Sequence, residues 1–406
     1  MKAKKLNKFK KTGEKSAKVK GQKMSKSSSV LTKIKVVGIG GAGGNIVNRM
    51  MEGDRIRGVE FIAINTDAQD LDCVSAHKKV YIGRALTRGL GAGMNPEIGR
   101  QAVEENRSEI GEILKDADII FLTAGFGGGT GTGGLPIIAD IAREKGILTI
   151  AIVTKPFTFE GGQRMNIAQE GLANLKDKVD ALVIVPNDRI FSLIDKETPI
   201  LKAFGYVDDI LKNGVKAIAD LINMPGIINV DFADIKTIIE DAGPALIGMG
   251  LASGQERGIK AVSLAINSPL LEISIDGAKG VLFSIAGGRD LKMSEVHDIA
   301  KAISANLDSN SRVIFGAYHD HSLRDKQIKV TVIATGFNGI FSQRFNMPTL
   351  FMEKQTLEGE IPVPEESGKK EKKSEAVEEK EIKAPSQLET PEPWEIPAFL
   401  RRKKRK

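Results

Sequence analysis

Two glycine loops and one pair of acids are the residues in this 406-residue chain whose types and spacing point to chemistry. The stretch GGGTGTGG places six glycines in the eight residues 127–134, ahead of a helical pattern that starts near Leu135. The usual phosphate loop, G-x-x-x-x-G-K-[ST], carries a lysine; this one has none. Backbone N–H groups and a helix dipole hold phosphate without one, and Thr130 and Thr132 add hydroxyls. The competing reading is a tight turn for close packing. The second stretch, GIGGAGGN, matches G-x-G-x-x-G from Gly38 to Gly43, after a strand and before a helix, as in dinucleotide folds. Asp67 stands about where the ribose-binding acid of such a fold would be. Two phosphate loops on one pole suit a nucleoside triphosphate; the fingerprint alone suits a dinucleotide oxidoreductase, for which the four histidines supply no acid-paired partner by motif. The third stretch, NVDFADIKTIIE, puts Asp231 and Asp234 at i, i+3 on the first turn of a helix. These acids fit helix capping or a carboxylate pair that polarises water.

The elements that must position these groups follow from the apolar runs. KIKVVGIG, FIAINTD, DIIFLTAG, LTIAIVTKPF and ALVIVPND are short β-rich segments with helical patterns between several of them, which predicts a mostly parallel sheet covered on both faces. Ligands in such sheets sit at the carboxyl ends of the strands. ILKAFGYVDDILKNGVKAIADLIN then has Leu211, Val215, Ile218 and Ile222 at helical spacing; this connecting helix would be on the order of 30 Å long. Because the acid pair lies beyond it, a catalytic pair would serve a neighbouring molecule rather than the loops of its own chain. AVSLAIN, GVLFSIAGG, RVIFGAY and IKVTVIATGF, alternating with DLKMSEVHDIAKAISANL, read as a second, smaller α/β domain ending near Phe351.

Bulk properties narrow the classes. A lone cysteine, Cys73, excludes an internal disulfide framework and fits a reducing compartment. No apolar run approaches the ~18 residues of a spanning helix, and the lysine-rich start lacks the apolar segment of a secretory signal; the expectation is a soluble cytoplasmic protein. The net charge of +7 is unevenly placed: residues 1–33 carry twelve lysines and one acid, residues 352–406 balance thirteen bases with thirteen acids, and 34–351 is left at −4. The basic balance therefore belongs to a tail, which argues against a specific nucleic-acid site on the folded part. From Glu353 to Pro393 the chain is rich in Glu, Lys, Pro and Ser and reads as a disordered linker. The apolar residues that return in PWEIPAFL, before RRKKRK, read as a short binding motif.

With GIGGAGGN and GGGTGTGG, the segments NTDAQ, RGLGAGMNPEIGR, FEGGQR, PNDRI, NVDFADI and IPAFLRR occur in order, and together they make the chain resemble the tubulin/FtsZ family of cell-division GTPases. The resemblance covers about residues 34–345 and the terminal peptide. It implies a Rossmann-like parallel-sheet GTP-binding domain (34–202), a central connecting helix (203–224), and a smaller α/β, GTPase-activating C-terminal domain (225–351). These are flanked by a basic disordered arm (1–33), a disordered linker (352–393) and an adaptor-binding peptide with a basic tail (394–406).

The same resemblance implies GTP-dependent head-to-tail polymerisation into the cell-division ring at the inner face of the membrane, and GTP hydrolysis at the junction of two subunits. Phosphates would be held by Gly40, Gly41, Ala42, Gly43, Gly44 and Asn45 and by Gly127, Gly128, Gly129, Thr130, Gly131 and Thr132. Ala92 and Gly93 would sit near the γ-phosphate, and Asp67 in the nucleotide site. Glu160 and Arg164 would face the ribose and neighbouring groups. Asn187 and Asp208 would face guanine, with Phe204 against the ring. Asn229, Asp231 and Asp234 would enter the next subunit's site, where the acids position or activate water. Mg²⁺ would bind through the GTP phosphates, with no direct protein ligand, and the terminal peptide would dock on a membrane tether or division regulator. A GTP-binding relative with no ring-forming role is the remaining alternative.

Overall fold

The computed structural model describes residues 32–52, 56, 58–192, 194–195, 197–224, 226–268, 275–305, 307, 310–320 and 322–337, except for the side chains of residues 200, 201, 204, 207 and 210. The lysine arm up to residue 31, the linker and the terminal peptide fall outside the described residues.

The apolar runs form strands whose side chains are buried on both faces, and this removes the in–out alternation from their sequences. In β1 (Ile34–Ile39), Ile34 and Val36 enter one core and Val37 and Ile39 the other. There follow α1 (Gly40–Met51), β2 (Val59–Asn65), α2 (Ala68–Cys73), β3 (Lys78–Tyr81), α3 (Arg84–Thr87), α4 (Pro96–Glu105), α5 (Arg107–Leu114), β4 (Ile119–Gly125), α6 (Thr130–Glu144), β5 (Leu148–Lys155), α7 (Gly162–Leu175) and β6 (Ala181–Pro186). Then come α8 (Ile200–Asn223), α9 (Phe232–Ile239), β7 (Gly243–Ser253), α10 (Arg257–Ile266), β8 (Gly280–Gly287), α11 (Met293–Ser304), β9 (Arg312–His319) and β10 (Gln327–Thr335).

The strands hydrogen-bond in the order β3-β2-β1-β4-β5-β6-β7-β10-β8-β9. All pairings from β3 to β6 are parallel. From β1 the chain builds outward through β2 and β3, then returns to the other side of β1 for β4. The crevice between β1 and β4 is the topological switch point at which such sheets bind ligands. Their register pairs Ile39 with Ala124, so the two glycine segments leave the sheet at one level. Ala181–Val183 of β6 pair in parallel with Gly243–Ala245 of β7. Beyond β7 the sheet continues antiparallel through β10 and β8, with β9 parallel to β8.

Three differences from the sequence reading have physical causes. First, α6 begins at Thr130 and not near Leu135. Its glycines are compatible with helix because α4 lies against them: a Cβ on Gly133 would stand 1.8 Å from the Pro96 carbonyl oxygen, and one on Gly134 2.8 Å from Val103 Cγ2. Part of the glycine run thus serves close packing. Second, AVSLAIN lies in α10, where Ala261, Val262 and Ala265 continue the buried face begun by Arg257 and Gly258. Third, the strand that the second domain needs there is β7, GPALIGMGLAS, whose glycines and proline disguise it. Gly250 is required because a Cβ would meet the Ala261 carbonyl oxygen of α10 at 1.9 Å.

The connecting helix α8 starts at Ile200, directly after Pro199, three residues before the expected 203. Its 24 residues span about 36 Å. Leu211, Val215, Ile218 and Ala219 bury one face against the sheet. Its far end sits by the start of β2: a Cβ on Gly58 would be 2.8 Å from Asn223 Nδ2. The helix therefore runs from the carboxyl pole of the parallel strands, where β6 ends, to the amino pole.

Candidate functional site

The turn from β1 into α1 divides its glycines by task. Gly40 sits at φ +72°, which L side chains rarely adopt. Gly38 and Gly43 touch each other and the β4 backbone: a Cβ on Gly43 would be 2.6 Å from the Thr123 carbonyl oxygen. Gly44 is buried as well, so Gly41, Ala42 and Asn45 are the expected phosphate-binding residues that face outward on the first turn of α1. There the unpaired helix N–H groups and the positive end of the dipole favour an anion.

The β4–α6 turn packs onto this one across the switch point. A Cβ on Gly40 would meet Gly131 N at 3.3 Å, and one on Gly125 would meet Ala42 Cβ at 2.7 Å. Gly127 N donates to Thr132 Oγ1 at 2.9 Å, and Thr132 is buried, so its hydroxyl shapes the loop from inside. The Thr130 hydroxyl shares a 2.6 Å hydrogen bond with Thr66 Oγ1. Gly129 N donates to the Gly93 carbonyl oxygen at 2.7 Å, bringing the Gly91–Gly93 loop to the same rim. Gly93 is exposed, has φ +57° and faces open space, whereas Ala92 is buried. Gly128 and Thr130 remain half-buried at the rim.

Asp67 caps α2, accepting from Asp70 N at 3.1 Å, and its segment pairs with Leu90. Its neighbours are residues the sequence reading left without a role. Asn65 is buried; its Nδ2 donates to Asp70 Oδ2 at 2.7 Å and its Oδ1 accepts from Thr66 N at 2.8 Å. Asp70 Oδ2 in turn lies 3.2 Å from where a Gly41 Cβ would be. NTDAQ is thus a brace behind both glycine turns. Its sequence signal was a polar triplet at a strand's carboxyl end.

After β5, Glu160 accepts from Phe157 N at 2.9 Å and pairs with Arg164 Nη1 at 2.5 Å. The Arg164 backbone closes on the glycine loop: a Cβ on Gly127 would be 3.0 Å from its carbonyl oxygen. Asn187 stands half-buried at the carboxyl end of β6. Its neighbour Asp188 takes the Thr158 amide and hydroxyl, so β5 and β6 are tied at the same pole. Asp208, on α8, pairs with Arg49 Nε of α1 at 2.7 Å. Burial pushes its carboxyl up to about 6; Arg49 opposes this and Asp209 adds to it. The Phe204 side chain lies outside the described residues.

Asn229, Asp231 and Asp234 are brought together, but elsewhere. Asn229 Oδ1 accepts from Gly226 N at 2.6 Å, and Ile228 bridges to Ala317 of β9, fixing the loop. Asp231 occupies the N-cap position of α9 without making a side-chain cap bond, and Asp234 follows in the first turn. All three side chains are exposed, while Ile235 and Ile239 are buried and Phe232 packs partly against the core. The loop follows the far end of α8, at the amino pole, so these acids and the glycine turns stand at opposite ends of the protein.

Family models match the two stretches of chain on either side of α8 and α9. Residues 33–195 match the tubulin/FtsZ family GTPase domain, and residues 243–338 match the FtsZ family C-terminal domain. An FtsZ dimer of M. jannaschii is 45% identical, with a TM-score of 0.72 over 77% of this chain and 90% of that one. A tryptophan-to-tyrosine variant of M. jannaschii FtsZ gives 45% identity and a TM-score of 0.71 over 76% and 92%. CetZ2 of Haloferax volcanii, solved as a GTPγS-bound protofilament, shares the fold at 22% identity and a TM-score of 0.66, covering 77% and 96%. The switch-point crevice, its paired glycine turns and a relative so similar over most of both lengths lead to one conclusion: this chain belongs to the tubulin/FtsZ family of GTPases.

Proposed function

We propose that the protein binds GTP across the β1–β4 switch point, assembles head to tail with copies of itself, and hydrolyses GTP where two copies meet. The observation that carries this reading is the separation of the two halves of the chemistry. The glycine turns stand at the carboxyl pole and the acid pair at the amino pole, about one α8 length apart, roughly 36 Å. A head-to-tail contact joins opposite poles and propagates as a filament. Asn229, Asp231 and Asp234 of one copy then reach the phosphates held by the next, where a carboxylate orients or deprotonates the attacking water.

In this reading the first turn of α1 and the rim residues Gly93, Gly128 and Thr130 take the phosphates. This set offers N–H and hydroxyl donors and no carboxylate, which is chemistry for phosphate oxygens and not for a metal. Mg²⁺ would bind on the phosphates and supply the positive charge that the loops lack. Glu160 and Arg164 take the ribose side, and Asn187, Phe204 and Asp208 the guanine. With the connecting helix starting at Ile200, the domain limits read from sequence are otherwise part of this proposal, as are a place in the division ring at the inner face of the membrane and an adaptor that binds residues 394–406.

The test is the rate of GTP hydrolysis against protein concentration, with sedimentation in parallel. A common threshold in both is expected. A rate per molecule that is constant down to the lowest concentration would overturn hydrolysis at a shared site.

A further inference from the structure

We infer that Arg49 is a positioning residue for base recognition: through its Nε it fixes the Asp208 carboxylate in the orientation and charge state that a guanine edge requires. The inference rests on the reading of Asp208 as the base-facing acid. Guanine presents two adjacent donors, N1–H and the N2 amino group, and one ionised carboxylate meets both. A protonated or rotated carboxyl does not.

The geometry gives Arg49 this task. Arg49 stands one turn of α1 beyond Asn45, so the helix whose first turn bears the outward-facing Gly41 and Ala42 also bears the guanidinium. Arg49 Nε contacts Asp208 Oδ2 at 2.7 Å. Gly205, one turn before Asp208 on α8, leaves the space for the guanidinium: a Cβ there would be 3.0 Å from Arg49 Nη1. A second tie, Lys212 Nζ to the Glu52 carbonyl oxygen at 2.9 Å, holds the same two helices at the next turn. The Asp208 side chain is 14% exposed against 39% for Arg49, so the acid is the member of the pair that needs its partner to stay charged. The charged groups facing Asp208 are Arg49 from α1 and Asp209 on its own helix, of opposite effect. Removing Arg49 leaves burial and a like charge, both of which favour the proton. The acid would then hold its proton to a higher pH and be free to turn.

The test is equilibrium binding of GTP and of ATP to the full-length chain, below the concentration at which it assembles, from pH 5 to 8.5. The intact protein is expected to lose GTP affinity as pH falls through about 6, with ATP weak throughout. In Arg49→Ala the midpoint moves to higher pH and the GTP dissociation constant at pH 7 rises on the order of tenfold or more. Arg49→Lys recovers part of both. Asp208→Asn removes the pH midpoint, and adding Arg49→Ala to it changes GTP affinity less than about twofold. A purely structural Arg49 would weaken GTP and ATP alike with no movement of the midpoint. That result, or an Arg49→Ala variant with an unchanged midpoint, overturns the inference. An intact protein that binds no GTP, or binds ATP as tightly, overturns instead the reading of the site on which the inference rests.

Discussion

Asp208 is a costly side chain of the candidate site to keep ionised before ligand binds. Burial holds its carboxyl near 6 in the folded chain, against 3.8 ordinarily. The folded protein therefore favours the protonated acid, and Asp208's contribution to stability is present below pH 3.8 and is lost as pH rises through about 6. At pH 8 the ligand-free protein gives up on the order of 3 kcal/mol at this one position, an upper bound for a partly open side chain. Asp208→Asn should be more stable than the parent at pH 8 by up to that amount and indistinguishable from it near pH 4; urea unfolding of the nucleotide-free protein at the two pH values measures this. Asp234 makes the opposite prediction. It is exposed, and its removal should leave unfolding and GTP binding unchanged while turnover in assembled protein falls by about a hundredfold or more. GTP binding and phosphate release, measured on the same Asp234→Ala preparation, separate the two roles.

At the scale of the element, glycine has two uses here that sequence does not separate. Gly41 and Gly93 lie open to solvent, where a ligand can approach the backbone. Gly133 and Gly250 are packing glycines, each with a backbone oxygen of another element within 2 Å of the missing Cβ. Gly133→Ala should push α6 off α4 and cost several kcal/mol. Gly162→Ala, at the first residue of α7 with nothing within 4 Å, should be neutral or stabilising by up to ~1 kcal/mol. Thermal unfolding of both variants gives the contrast, and equal effects would refute it. The same ambiguity explains what was legible. The parallel strands, α8 and both glycine turns follow from apolar runs and helical spacing, which are local. The strand β7 was hidden because Gly250 answers to α10, and the start of α6 because Gly133 and Gly134 answer to α4. The Arg49–Asp208 pair joins residues far apart in sequence on α1 and α8, so no local pattern announces it. Asn65 and Thr66 belong to NTDAQ and Asp70 follows it directly, but their bracing role depends on Gly41 and Thr130 arriving beside them.

At the scale of the whole molecule, α8 decides the mechanism, because it sets the two poles about 36 Å apart and no side chain spans that distance. In the proposed reading each copy carries one half of two different sites, and damage to one half is separable from damage to the other. Ala42→Glu puts a negative charge on the exposed first turn of α1, where the phosphates are proposed to sit. It should abolish nucleotide binding without destabilising the helix, since an acid suits a helix N-terminus. Asp234→Ala leaves that pole intact and disables the opposite one. Each variant alone should be inactive. In an equal mixture, the intact acid pole of an Ala42→Glu molecule can meet the intact nucleotide pole of an Asp234→Ala molecule. If the copies join at random, about a quarter of the junctions combine two sound halves. Hydrolysis should therefore reappear on mixing, with a dependence on total protein concentration like that of the parent. A site completed within one chain predicts no recovery at any ratio, so phosphate release across a mixing series decides between one chain and two.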